Sequence, residues 1–163
     1  MGQDLHLLIM GSSQGQIKGD STIASMGRED TIEAHKFEHM VYIPRAVLSS
    51  GNVAGSRVHD PITITKRIDR STPCLYQALC NNESLDVTIR FYRPGLGGAG
   101  VEEQFFTIRL RDARIVSIKS LQDLTMLETS LPFMEDVSIA YKEITWNFSA
   151  HVNTMFTDEW NSS

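Results

Sequence analysis

Three stretches of the chain carry the letters of catalytic or ligand-binding motifs. Gly11-Ser12-Ser13-Gln14-Gly15 has the spacing of a nucleophile elbow, in which a strained strand-to-helix turn projects a serine hydroxyl. On that reading Ser13 would serve a monomeric, β-rich serine hydrolase. The context argues against it. Gln16-Ile17-Lys18-Gly19-Asp20 follows, with a glycine and polar residues where a helix is needed. No earlier strand is available to supply a second oxyanion donor. The stretch reads as a Gly/Ser turn.

The other two motifs fail for similar reasons. Gly95-Leu96-Gly97-Gly98-Ala99-Gly100 matches the dinucleotide fingerprint in letters, but that fingerprint must open a helix whose N-terminus meets a pyrophosphate. Val101 to Phe106 reads as strand, and Glu102 and Glu103 would repel phosphate. His35-Lys36-Phe37-Glu38-His39 has metal-binding letters. On a helix its histidines would lie about 6 Å apart and could share zinc. Thr31-Ile32 and Val41-Tyr42-Ile43 read as strand, which separates the imidazoles by roughly 13 Å and sets them on one sheet face. Cys74 and Cys80, the only cysteines, make neither a zinc set nor a disulfide framework. No catalytic residue, metal or cofactor is expected.

Composition narrows the class further. The 163 residues fit one domain. Fifteen Lys and Arg against 20 Asp and Glu give a formal charge of −5, the wrong sign for a nucleic-acid footprint or a polybasic membrane anchor. Leu7-Leu8-Ile9-Met10 is too short for a signal-peptide core or a bilayer span, and no basic region precedes it.

The elements that must position these residues are mostly strands. Leu85, Val87, Ile89 and Phe91 alternate with Asp86, Thr88 and Arg90, the period of a half-buried strand. The stretches 62–68, 106–110 and 137–141 alternate likewise, with β-branched and aromatic residues that favour strands. One helix is predicted, with Thr72 as N-cap, Pro73 at the first position and Asn81-Asn82 as its stop. Leu121, Leu124 and Leu127 suit either a short helical turn or a packed loop. Residues 95–100 read as a hairpin connection. Residues 44–60, with Ser49, Ser50, Gly51, Asn52, Gly55 and Ser56, are too long for a mere connector and suggest a functional arm. The expected fold is mainly β: a small antiparallel β-barrel of two sheets with one short α-helix.

Read in order, several segments together resemble one family. They are Ile17-Lys18-Gly19-Asp20-Ser21, Ile32-Glu33, Phe37-Glu38-His39 with Val41-Tyr42-Ile43-Pro44, and Gly55-Ser56-Arg57-Val58-His59. Then come Thr65-Lys66 with Ile68-Asp69, Ser71 and Pro73; Leu131; Glu135-Asp136-Val137; Tyr141-Lys142; Ile144-Thr145-Trp146; and Asp158-Glu159-Trp160. The pattern is similar to the haemolysin co-regulated protein (Hcp) family, the inner-tube proteins of bacterial type VI secretion. Gly19, Glu33, His39, Asp69, Pro73 and Trp146 carry its structural motif.

The resemblance implies a phage tail-tube-like fold and a structural, non-enzymatic role. Six copies would form a ring, and rings would stack into a tube inside a contractile sheath. A VgrG spike protein would sit at the tip and small effector proteins in the lumen. The protein would begin in the bacterial cytoplasm and leave through the type VI system. The ring-stacking arm would include Pro44, Arg45, Ser49, Ser50, Gly51, Asn52, Gly55, Arg57 and His59. A ring needs two different patches that meet head to tail, and edge strands can provide them. Six copies at −5 apiece oppose closure, so the contact must be apolar or locally charge-matched.

Overall fold

The computed structural model describes residues 3–44, 55–95 and 100–160. Alternation dominates the chain, and the strands follow it. The first hairpin joins β1 (Asp4–Gly11) to β2 (Gly15–Ile17). Three short strands come next: β3 (Ile32–Ala34), β4 (Lys36–Glu38) and β5 (Val41–Tyr42). Then β6 (Val58–His59) precedes β7 (Ile62–Arg67), and helix α1 spans Thr72–Cys80. The longest hairpin joins β8 (Leu85–Pro94) to β9 (Glu102–Leu121). The chain ends in β10 (Met134–Ala140), β11 (Glu143–Phe148) and β12 (Thr154–Glu159).

Strand order runs β2-β1-β8-β9-β10-β7-β4, with β3 added to β1 and the β11–β12 hairpin added to β9. The terminal strands β2 and β4 do not pair, so the sheets curl around a core without closing into the barrel expected. The apolar sides of both sheets meet in that core. Leu5, Leu7 and Ile9 lie beside Val87, Ile89, Ile108 and Leu110 on one side, and Ile62, Ile64, Val137 and Ile139 come from the other. Leu75 and Ala78 of α1 complete it. Each buried Leu, Ile or Val side chain contributes about 1.5–3 kcal/mol by leaving water.

One corner sets the geometry of everything that follows. β11 pairs with residues 106–111 of β9, and β10 pairs with residues 114–121. Between them Asp112 adopts φ +47°, and the strand passes from one sheet to the other, a common way to turn a corner. The Asp112 carboxylate accepts from Ser84 Oγ at 2.7 Å and meets Lys142 Nζ at 3.0 Å and Arg114 Nη1 at 2.5 Å. These contacts, Ser84 first, hold its pKa far below the usual carboxylate range. The bend also places Tyr141, between β10 and β11, where it can meet residues from remote strands.

Several expectations change in detail. The N-cap of α1 is Ser71, and Pro73 is the second helical residue. Thr72 is inside the helix because its hydroxyl is engaged elsewhere, donating to Glu135 Oε1 at 2.9 Å. Residues 32–43 are not one strand. The ladder breaks at His35, whose N–H donates to Thr65 O at 2.8 Å. His35 is exposed there and does not share a sheet face with His39. The connection after β9 is neither helix nor packed loop. It is a run of turns with Leu124, Leu127 and Leu131 exposed. Ser13 occupies the β1–β2 hairpin turn, with no helix after it, so the elbow reading loses its frame.

Candidate functional site

The residues of the predicted arm outside the described part are Arg45, Ser49, Ser50, Gly51 and Asn52. Its two ends are well placed. Gly55 has φ +127°, and the Pro44 carbonyl lies 3.7 Å from where a Cβ on Gly55 would stand. Pro44 and Gly55 therefore lie side by side. β5 and β6 pair just inside it, Val41 with His59 and Tyr42 with Val58. The Asp60 N–H donates to Met40 O at 3.0 Å.

A chain of polar side chains ties this root to the body. Arg57 grips Asp158 of β12 through Nε at 2.5 Å and Nη2 at 2.7 Å, a fork geometry that fits a carboxylate. His59 Nε2 lies 2.8 Å from the same carboxylate, and His59 Nδ1 lies 2.7 Å from the Tyr141 hydroxyl. That hydroxyl lies 2.7 Å from His39 Nε2 as well. Trp146 stacks over both imidazoles, with centroids at 6.3 Å and 6.2 Å, and Trp160 lies 5.1 Å from His59. The backbone N–H of Trp160 donates to Lys142 O at 2.5 Å, which fixes the end of β12.

Burial orders the electrostatics. Arg57 first, then His59, hold Asp158 below the ordinary carboxylate value, so it stays ionised. Burial pushes the Tyr141 phenol up, helped by Asp158 and Asp60, so it stays protonated. Burial and then neighbouring His59 lower His39, while Asp60 pulls the other way. The site is a fastening. Its tyrosine oxygen is buried between two rings, and among the described residues no group of His, Cys, Asp or Glu could hold a metal.

The remaining motif residues lie apart from this root. Asp69 Oδ1 accepts from Ser71 N at 2.9 Å, from the Ser71 hydroxyl, and from Lys66 Nζ at 3.0 Å. Lys66 is wholly buried and meets Glu135 Oε1 at 2.6 Å, so this knot fixes α1 to β7 and β10. Pro73 lies in the first turn of the helix beside it. Gly19 packs where a Cβ would fall 2.5 Å from Thr31 O and 2.6 Å from Ile32 Cα. Glu33 is exposed on β3 opposite His6. The sequence reading named His39, Arg57, His59 and Trp146 but missed Tyr141, Asp158 and Trp160 as their partners. Their only signal lay in the matching segments 141–142 and 158–160, about a hundred residues from the arm.

Solved proteins with this architecture define its class. The chain matches a structure described as an Hcp protein at TM-score 0.87 and 33% identity, covering 99% of this chain and 100% of that one. It matches "Secreted protein Hcp3 from Pseudomonas aeruginosa" at TM-score 0.76 and 31% identity, over 99% and 100%. The "Major exported protein" of Pseudomonas aeruginosa is 36% identical over 172 aligned positions, covering 99% of this chain and 98% of that protein. The class is that of secreted structural proteins of type VI secretion. The family described as "Type VI secretion system effector, Hcp" matches residues 7–148, and the chain belongs to the Hcp family.

Proposed function

We propose that this chain is a one-domain tube subunit. Six copies close a ring, and rings stack through the arm at residues 44–60. The tube lies within a contractile sheath, carries small effector proteins in its lumen and bears a VgrG spike at its tip. The observation that carries the ring is β12. Among the described residues it pairs only with β11, and Met155 and Phe156 on its two faces are 66% and 63% exposed. An edge that exposes a large apolar side chain on each face invites a partner chain. A second patch is available for head-to-tail closure. Leu124, Met126, Leu127 and Leu131 are all exposed on the connection after β9, at the other end of that strand from its pairing with β11.

Light scattering after size exclusion tests the ring. At about 0.15 M salt, where charge repulsion is screened, the mass should be about six times 18.3 kDa. A clean monomer at micromolar concentration would refute the ring. Deleting residues 49–55 tests the arm. Lengthening or shortening a loop changes folding free energy little, so the ring should persist while stacking and export are lost. Normal stacking by the shortened chain excludes the arm as the ring-to-ring contact. Collapse to monomers would assign it to the lateral contact instead.

A further inference from the structure

The hydrogen bonds at the arm root have a direction. Asp158 is ionised and can only accept, so His59 Nε2 carries a proton and donates across the 2.8 Å contact. In a neutral His59, Nδ1 is then an acceptor, and Tyr141 must donate its hydroxyl proton to it at 2.7 Å. The Tyr141 oxygen is left as an acceptor, so His39 Nε2 donates to it at 2.7 Å. The chain runs His39 to Tyr141 to His59 to Asp158, with every donor and acceptor matched.

One added proton leaves the chain intact. A proton on His39 enters at Nδ1 and disturbs none of these bonds. A proton on His59 makes Nδ1 a donor. Tyr141 then turns and donates to the Nε2 of a neutral His39, whose own proton moves to Nδ1. Trp146, stacked on both rings, favours a cation on either. Two added protons leave no solution. Both rings then donate to one oxygen, the buried tyrosine hydroxyl proton has no acceptor, and two cations stand with centroids 6.5 Å apart.

We propose that His39, Tyr141 and His59 form a latch that holds with one added proton and opens with two, releasing residues 55–59 from β12. The surrounding charges set how readily it opens. Asp60 favours a proton on His39 and a charged His59 opposes it, while Arg57 and Asp158 lie against each other and Asp158 against His59 on the β12 side. On β4, Glu38 is engaged by Lys36 at 2.9 Å, and Lys142 at the corner is held by Asp112 at 3.0 Å. Among the described residues, Tyr42 of β5, Glu143 of β11 and Glu159 of β12 are further ionisable groups near this root. The latch is a property of one subunit. Only its consequence, release of a stacking arm, rests on the proposed tube.

The test is amide hydrogen exchange of residues 55–60 from about pH 7 to about pH 4.5, spanning the ordinary histidine range, with rates corrected for intrinsic pH dependence. Leaving a buried group unpaired should raise exchange there about tenfold to a hundredfold, while amides of β1 and β8 stay protected. His39→Gln keeps an N–H for Tyr141 but takes no proton, so its root should stay closed over the same range. A wild-type root that stays protected, or a His39→Gln root that opens with the wild type, overturns the latch. Should His39→Gln fail to fold, Tyr141→Phe is read instead. Its root should be open already near neutral pH with no acid step, and a retained acid step overturns the proposal. Parallel light scattering separates the two readings, because a monomer with an acid-opened root keeps the latch and loses only the ring.

Discussion

Replacing Lys66 by methionine removes the cation from a fully buried knot. In the native protein Lys66 Nζ meets Glu135 Oε1 at 2.6 Å, Arg67 O at 2.8 Å and Asp69 Oδ1 at 3.0 Å. Glu135 is equally buried, and its Oε2 has no hydrogen-bond partner. Without Lys66 this carboxylate keeps only the Thr72 hydroxyl at 2.9 Å. Breaking a buried pair in this way costs about 3–5 kcal/mol. For a chain of this size that lowers Tm by about 6–20 °C. Glu135→Gln should cost less, about 1–3 kcal/mol, because Lys66 keeps Asp69 and the Arg67 carbonyl. The double variant Lys66→Met with Glu135→Leu should recover much of the loss, since it leaves no stranded charge. Urea unfolding followed by circular dichroism measures all three, at one protein concentration because assembly shifts apparent stability. A Lys66→Met loss below about 1 kcal/mol, or an equal loss in Glu135→Gln, refutes the reasoning.

Gly19→Ala should destabilise the fold by about 1–3 kcal/mol, because the new methyl meets the backbone of Thr31 and Ile32; urea midpoints check it. Met155→Asp with Phe156→Asp should shift the assembly toward 18.3 kDa by light scattering while far-ultraviolet dichroism stays unchanged. Acid should destabilise the protein in two steps. His39 is lowered, so its share of stability is present above 6.5 and lost as pH falls below that. Asp112 and Asp158 are lowered too, so theirs is present above 3.8 and lost at lower pH. His39→Gln should lack the first step and keep the second in thermal melts across that range.

Much of the fold can be read from local pattern. Alternation at 85–91 and 137–141 identifies β8 and β10, because the side-chain period of a strand is written directly in the residue order. Pro73 and the apolar spacing of Leu75 and Ala78 place α1 to within a residue of its observed start. The glycine-framed turn at residues 11–15 can be read from its residue types, and the structure places Ser13 in that turn with no helix directly after it. The family could also be read there, since its motifs keep their order along the chain.

Tertiary structure alone decided the rest. Residues 32–43 look like one strand, yet the His35 N–H is taken by Thr65 across the sheet, and the ladder breaks. Leu124, Leu127 and Leu131 have helical spacing without a surface to bury against, so they stay exposed on turns. Above all, the arm root joins His39, His59, Tyr141 and Asp158, residues up to about 120 positions apart. No period links them. They meet because β9 changes sheets at Asp112 and carries β10, Tyr141 and β11 around the corner. Local sequence encodes φ, ψ and which face is apolar, whereas contacts between remote strands depend on how the whole sheet twists and closes over its core.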